Sequence, residues 1–261
     1  MKRMQSLTSV LKTLTLSAAM AAGLGFGAQA AGDAKTPADH DWSFEGIFGT
    51  FERASAQRGL QVYLEVCAAC HALEHLHYRK LADLGYSEAE IKAIAANWEV
   101  EDGPNEDGEM FTRPARPSDP FARPFPNDAA ARAANNGALP VDLSVVVKAR
   151  AHGADYIHAL LTGYEEAPEG FDLLEGTYYN PYFEGRQIAM IPPLMEGLVE
   201  YGDGTEATVE QMSRDVTLFL AWAAEPELEE RKAMGIKVML FLLVLAGLLY
   251  AVKRRIWADI H

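Results

Sequence analysis

Apolar side chains along this chain recur at helical spacing, and strict alternation is scarce. Gln57 to Val66, preceded by Ser55, predicts a helix that runs into two cysteines. Ser87 with Glu90 three residues on forms a capping box that opens a helix from Ala89 to about Trp98. Asn127 caps a predicted helix over Asp128–Asn135, stopped by Gly137. Leu143–Arg150 and Ala154–Leu161 read as two short helices split by Gly153. Thr208 with Gln211 forms a second capping box, for a helix through about Ala223, and Pro226 suits the first turn of another. Between these lie two long connectors, 99–126 with six prolines and 164–206. The pattern is all-α. Connectors this long in a small domain predict that the chain wraps a large non-protein group.

Two apolar segments stand apart. Lys2, Arg3 and Lys12 precede a short apolar stretch from Leu14 to about Phe26, followed by Ala28-Gln29-Ala30. That order predicts a secretory signal peptide over residues 1–30, removed after Ala30. The second segment, Met234–Val252, contains Lys237 as its only charge. Its 19 residues form a helix roughly 28 Å long, close to the thickness of a bilayer core. Lys253, Arg254 and Arg255 follow at once and predict a cytoplasmic end. The expected layout is an exported domain at 31–226, a juxtamembrane and transmembrane helix at 227–255, and a cytoplasmic tail at 256–261. The expected location is a bacterial inner (cytoplasmic) membrane, crossed once, with the domain in the periplasm and the C-terminus in the cytoplasm.

Composition narrows the function. The 261 residues carry 37 acidic and 23 basic side chains, a formal charge of −14. Loss of the signal segment takes the charge to −17, which excludes nucleic acid as a partner. Only two cysteines are present, too few for a disulfide scaffold or a four-cysteine zinc site.

Those cysteines stand in Cys67-Ala68-Ala69-Cys70-His71, the C-x-x-C-H pattern of c-type haem attachment. Two thiols one helical turn apart can each form a thioether to a haem vinyl group, and the adjacent imidazole then lies beneath the iron. A redox C-x-x-C pair would be expected near a β-α-β pattern, which is absent, and a structural disulfide would not need His71.

A sixth iron ligand must come from elsewhere. Met190 lies in Gln187-Ile188-Ala189-Met190-Ile191-Pro192-Pro193-Leu194, where two prolines hold the backbone extended behind a soft thioether. Met195 is its nearest rival and Met110 a distant one. His75 and His77 lie too close to the motif to reach the opposite haem face. His152 and His158 read as packing or surface residues.

With these residues placed, the chain resembles the cytochrome c1 family, the haem subunits of quinol–cytochrome c oxidoreductases. The resemblance runs from about Trp42 to Trp257. It is carried by Asp102-Gly103-Pro104-Asn105-Glu106-Asp107-Gly108-Glu109-Met110, by Ala131-Arg132-Ala133-Ala134-Asn135-Asn136-Gly137-Ala138-Leu139-Pro140, and by Phe219-Leu220-Ala221-Trp222-Ala223-Ala224-Glu225-Pro226-Glu227. It implies a class I-like cytochrome c domain with long loop insertions plus one C-terminal transmembrane helix. The implied cofactor is one covalent haem c, with Cys67 and Cys70 as thioether sites, His71 as proximal ligand and Met190 as distal ligand. Arg150 and Tyr156 are implied at the propionates, and Asn135 and Pro140 in the surrounding pocket. The implied partners are cytochrome b, the Rieske iron–sulfur protein as electron donor and a soluble cytochrome c as acceptor. Some bacterial members brace the distal-ligand region with an extra disulfide. This chain has no cysteine left for one, so packing must serve there.

Two ligands saturate an iron and leave no position for oxygen or peroxide, which argues against the alternative of a stand-alone peroxidase or gas sensor. Glu99, Glu101, Asp102, Glu106, Asp107 and Glu109, and the juxtamembrane Glu225, Glu227, Glu229 and Glu230, are candidates for steering a basic partner.

Overall fold

The computed structural model describes residues 34–258. The expected signal peptide and residues 259–261 of the expected tail lie outside the described residues. Seven α-helices are described: α1 (Arg53–Glu65), α2 (Glu88–Ala96), α3 (Asp128–Ala134), α4 (Val146–Ala149), α5 (Gly153–Thr162), α6 (Val209–Ala224) and α7 (Leu228–Ile256). Among the described residues the strands form two small antiparallel pairs, β1 (Glu99–Asp102) with β2 (Phe111–Pro114) and β3 (Tyr178–Tyr179) with β4 (Gln187–Ile188). The domain is therefore helical, as the periodicity predicts.

The core forms where α1 crosses α6, with α4 and α5 packed on the other flank of α6. Gly59 permits that crossing. A Cβ there would stand 2.1 Å from the Asp215 carbonyl oxygen and 2.7 Å from the Phe219 Cβ. The fully buried Asp215 carboxylate sits in the crossing and accepts from Ser55 Oγ (2.5 Å), Arg58 Nε (2.8 Å) and Nη2 (3.0 Å), and Gln211 Nε2 (3.0 Å). A buried carboxylate with this many donors is stable where a bare one would not be. Ser55 is thus a buried residue of the first turn and not a flanking one. Gln211 spends its side chain on Asp215, so only the Thr208 half of the expected capping box forms, with Thr208 Oγ1 accepting from Gln211 N at 3.1 Å. The Ser87–Glu90 box closes in both directions.

Around the crossing, Tyr63, Tyr78, Phe219 and Trp222 are fully buried, with Phe121 stacked on Tyr78 at 4.3 Å between ring centroids. Each such side chain contributes about 1.5–3 kcal/mol through removal from water. The proline-rich connector is ordered by its own contacts. β1 and β2 pair, and Arg113 bridges Asp102 to Asp119, which it meets at 2.5 Å.

α7 begins at Leu228, two residues later than Pro226 suggested. It runs 29 residues, about 43 Å at 1.5 Å per residue. Its 18-residue apolar window has no residue buried within the chain. A helix this long and apolar, with that window left uncovered by the chain, fits a membrane anchor.

Candidate functional site

α1 ends at Glu65, and the backbone of Val66 leaves helical values (φ −120°, ψ −60°). The predicted run into the cysteines is therefore broken. Cys67–Ala69 form a separate 3₁₀ turn, and the Cys67 carbonyl accepts from both Cys70 N (3.1 Å) and His71 N (2.9 Å). No disulfide joins the two cysteines, and Cys67 is half-buried while Cys70 is exposed. Burial, with Cys70 adding, pushes the Cys67 thiol up to about 12.

His71 Nδ1 lies 2.7 Å from the carbonyl oxygen of Val141. A carbonyl only accepts, so Nδ1 carries the proton and Nε2 keeps its lone pair. Burial holds this imidazole below its ordinary value, against the opposing pull of the Val141 carbonyl and Asp142. The ring is neutral, of fixed tautomer and oriented, as a metal-ligating imidazole has to be.

Val141 arrives at His71 through the turn that ends α3. Asn127 caps that helix by accepting from Ala130 N (2.9 Å). At the other end Asn136 takes the left-handed conformation (φ 51°), and Gly137 N donates to Arg132 O at 2.8 Å. This Schellman closure turns the chain toward Pro140 and Val141. Asn135 is the C-cap, half-buried, its side chain donating to Ala131 O at 2.8 Å. Beyond Val141, Asp142 accepts from Glu74 N (3.0 Å) and Ser144 N (2.7 Å), and Ser144 Oγ accepts from His75 N (3.0 Å). These bonds staple 141–144 to the segment after the C-x-x-C-H motif. They also shorten the helix expected over Leu143–Arg150 to α4.

The segment continues to Arg150, exposed at the end of α4, and to Tyr156, half-buried on α5. Burial holds the Tyr156 phenol above its ordinary value, Arg150 opposes that shift and Glu184 adds to it. Burial likewise raises the Tyr164 phenol, with Tyr156 contributing. Tyr164 Oη donates to the Met190 carbonyl at 3.1 Å. Arg150, Tyr156, Tyr164 and the Met190 backbone thus form one continuous neighbourhood.

Met190 is half-buried, whereas its rivals Met195 (63%) and Met110 (55%) stand exposed. Its loop is braced by more than packing. Fully buried Asn180 donates to Leu160 O (2.8 Å) and accepts from Tyr182 N (3.1 Å), tying the loop to the end of α5. Gly163 lets the Tyr182 ring approach, since a Cβ there would lie 2.4 Å from it. β3–β4 pairing, Arg186 over the Phe171 ring at 5.6 Å, and Gln187 Oε1 accepting from Leu174 N at 3.0 Å complete the clamp. Val141, Asp142, Tyr164 and Asn180 escape a sequence reading, because a carbonyl acceptor or a single buried amide leaves no pattern.

The donor set fits a covalent haem: two cysteines on one turn with no disulfide between them, an imidazole with a free Nε2, and a half-buried thioether on a clamped loop. The Cytochrome C1 family profile matches residues 42–260. The chain belongs to the cytochrome c1 family. It is 44% identical over 270 residues to cytochrome c1 of Rhodospirillum rubrum, covering 97% of this chain and 99% of that one. It is 54% identical to the mitochondrial cytochrome c1-2 heme protein of Solanum tuberosum, with 83% of each covered. Against the cytochrome b/c1 protein of Bradyrhizobium diazoefficiens it is 49% identical, covering 86% of this chain and 36% of that longer protein. Family members are haem subunits of the bc1 complex and carry covalently bound haem c.

The steering candidates divide. Glu225 meets Lys148 at 2.8 Å and also Arg231, Glu227 meets Lys80 at 2.5 Å, and Glu229 meets Arg53 at 2.8 Å. Three of the four juxtamembrane acids are thus neutralised within the domain. Glu99, Glu101, Glu106, Asp107 and Glu109 stand exposed on β1 and the β1–β2 loop.

Proposed function

We propose that this chain passes single electrons from a Rieske iron–sulfur protein to a soluble cytochrome c, anchored beside cytochrome b in a quinol–cytochrome c oxidoreductase. In this reading Cys67 and Cys70 carry the thioethers, His71 Nε2 and the Met190 thioether ligate the iron, Arg150 and Tyr156 meet the propionates, and Asn135 and Pro140 line the pocket. Bound there, the haem supplies a one-electron couple. The protein's own work is positional. The Val141 carbonyl holds the proton on His71 Nδ1 and aims Nε2. Tyr164 and Asn180 hold the Met190 loop, so that the thioether stays at a fixed place through repeated electron transfer. Arg150 offers a planar, permanently charged fork to carboxylates, and Tyr156 a hydroxyl donor.

The observation that carries the reading is the neutral, oriented His71 on a C-x-x-C-H turn. The exposed β1–β2 acids favour encounter with a basic acceptor. Quinol oxidation itself is assigned in this reading to other subunits of the complex. The layout that follows is an exported domain after removal of 1–30, a periplasmic haem face and a cytoplasmic C-terminus in a bacterial inner membrane.

Purification of the membrane complex is the test. A Rieske protein and a dihaem cytochrome b are expected to copurify, and a rapidly mixed soluble cytochrome c is expected to be reduced at a rate that falls as salt rises. Copurification of neither subunit, or a six-coordinate spectrum absent from the pure chain, would overturn the assignment.

A further inference from the structure

The aromatic residues Trp42, Phe44 and Phe51 form a ladder at the start of the domain, with ring centroids 5.9 Å apart for Trp42–Phe44 and 5.2 Å for Phe44–Phe51. Trp42 and Phe51 are buried. Between Phe44 and Phe51 the chain leaves the core in a tight turn. Gly46 has φ +69°, and at Gly49 a Cβ would stand 1.8 Å from the Glu45 carbonyl oxygen, so the turn admits only glycine there. At its tip Ile47 is 68% and Phe48 83% exposed. Outside α7, no described large hydrophobic side chain is more exposed than these two.

A rigid turn that displays two large apolar side chains needs a reason. Its attachment supplies one. Glu229 in the first turn of α7 accepts from Phe51 N at 2.8 Å and holds Arg53 with both carboxylate oxygens at 2.8 Å. Lys232, about one helical turn nearer the apolar span, donates to Phe44 O at 2.6 Å and Gly49 O at 3.0 Å. The loop is therefore fastened to α7 in descending order, first its base at Glu229 and then both shoulders of the turn at Lys232. Lys232 precedes Met234, where the apolar segment that holds only Lys237 as a charge begins, by two residues, or about 3 Å of axis. Residues 45–48 form the tip between those shoulders.

We propose that the 44–51 turn is a membrane wedge, with Ile47 and Phe48 seated in the headgroup–acyl boundary beside α7. The inference rests on α7 crossing a bilayer. The occupant is lipid because the turn is pinned to α7 at Lys232, two residues before a span that this chain leaves uncovered, and because its two side chains are of the kind that partition to that boundary. Glu45, at the other side of the tip, stays in the headgroup layer. A domain on one helix can swivel about its anchor. The wedge adds a second contact, joined to the first by Glu229 and Lys232, and so restrains the tilt of the domain on the membrane.

The test places nitroxide labels on single added cysteines in the full haem-bearing chain, in vesicles of phosphatidylethanolamine and phosphatidylglycerol. Thioether attachment leaves the parent protein without a reactive thiol, and the unlabelled parent checks this. Phe48→Cys reports the tip, Met239→Cys the span, and Glu106→Cys an exposed polar loop. Collision with oxygen, which partitions into lipid, is compared with collision with a water-soluble nickel chelate. The expected ratio of oxygen to nickel collisions at Phe48→Cys lies well above that at Glu106→Cys and below that at Met239→Cys. A ratio at Phe48→Cys equal to that at Glu106→Cys, with Met239→Cys still rich in oxygen, overturns the wedge and leaves the span intact. A nickel-rich Met239→Cys overturns the span and the wedge with it. A motionally arrested label at Phe48→Cys, shielded from both reagents, assigns the tip to a protein neighbour and overturns the lipid assignment.

Discussion

The carbonyl oxygen of Val141 lies 2.7 Å from His71 Nδ1, joining residues 70 positions apart in sequence. That bond decides which ring nitrogen faces outward, and it depends on Asp142. The Asp142 carboxylate holds Glu74 N at 3.0 Å and Ser144 N at 2.7 Å, which fixes the Val141 backbone opposite the imidazole. Asp142→Ala removes both acceptors at a cost of about 1–3 kcal/mol. Urea unfolding of the detergent-solubilised holo-protein is expected to show a lower midpoint at an unchanged m-value. An unchanged midpoint would mean that this staple is dispensable.

Met190 is half-buried on a clamped loop, and Met195 is 63% exposed five residues on. Met190→Leu is expected to lower the haem midpoint potential by on the order of 0.1–0.3 V, within the range axial ligands command. It should also make the ferrous form bind carbon monoxide. Met195→Leu should do neither. Potentiometric titration and carbon monoxide difference spectra decide between them, and the opposite pattern would move the ligand to Met195.

Asn180 is fully buried and serves two backbone groups, Leu160 O and Tyr182 N. Asn180→Leu keeps the volume but leaves both unpaired, at about 1–3 kcal/mol for each group. The strain falls on the Met190 loop. The expected result is a melting temperature several degrees lower and partial carbon monoxide binding in a protein whose ligands are all intact. A variant indistinguishable from the parent in both would show that the loop holds without its amide.

Gly59 faces the Asp215 carbonyl so closely that a Cβ would lie 2.1 Å from it. The obstacle is backbone in the middle of α6 and cannot swing aside. Gly59→Ala is expected to destabilise by roughly 3 kcal/mol or more, the upper end for overpacking. The readout is the yield of haem-stained protein in membranes, with Gly235→Ala, which meets nothing within 4 Å, as control. Equal yields would contradict the α1–α6 crossing.

His158 gives the domain a pH dependence. Burial holds its imidazole below the ordinary value, His40 and Arg214 push the same way, and Glu210 at 2.9 Å opposes them. The unfolded chain therefore takes up a proton near pH 6.5 while the folded chain does not. The stability from this group is complete above about pH 6.5 and is lost as pH falls toward the folded value. The urea midpoint of the parent is expected to drop more between about pH 7.5 and 5.5 than that of His158→Gln. Parallel slopes would place the pH sensitivity elsewhere.

Much of this protein was legible before any fold was in view. The C-x-x-C-H motif, the uncharged span and the helix caps are local signals, because each depends on residues a few positions apart: thioether spacing, bilayer thickness and the orphan N–H groups of a helix start. Ser87–Glu90 closes as a capping box for that reason. The expectation failed where a distant partner took the side chain. Ser55 and Gln211 look like boundary residues in sequence, and both are drawn into the helix crossing by Asp215. The helix expected over Leu143–Arg150 lost its first turn to hydrogen bonds with residues 74 and 75. The order of the 99–126 connector owes part of its basis to β1–β2 pairing and to Arg113, which joins Asp102 and Asp119, contacts that no local pattern announces. Residue type and spacing were enough for the cofactor class, the long apolar C-terminal helix and the helical character, since covalent attachment and transfer from water depend on nothing more distant. The proton on His71, the clamp on Met190, the pairing of the juxtamembrane acids and the turn pinned to α7 emerged with folding. Each of these depends on which backbone carbonyl or buried amide stands opposite, and chain folding alone brings such groups together.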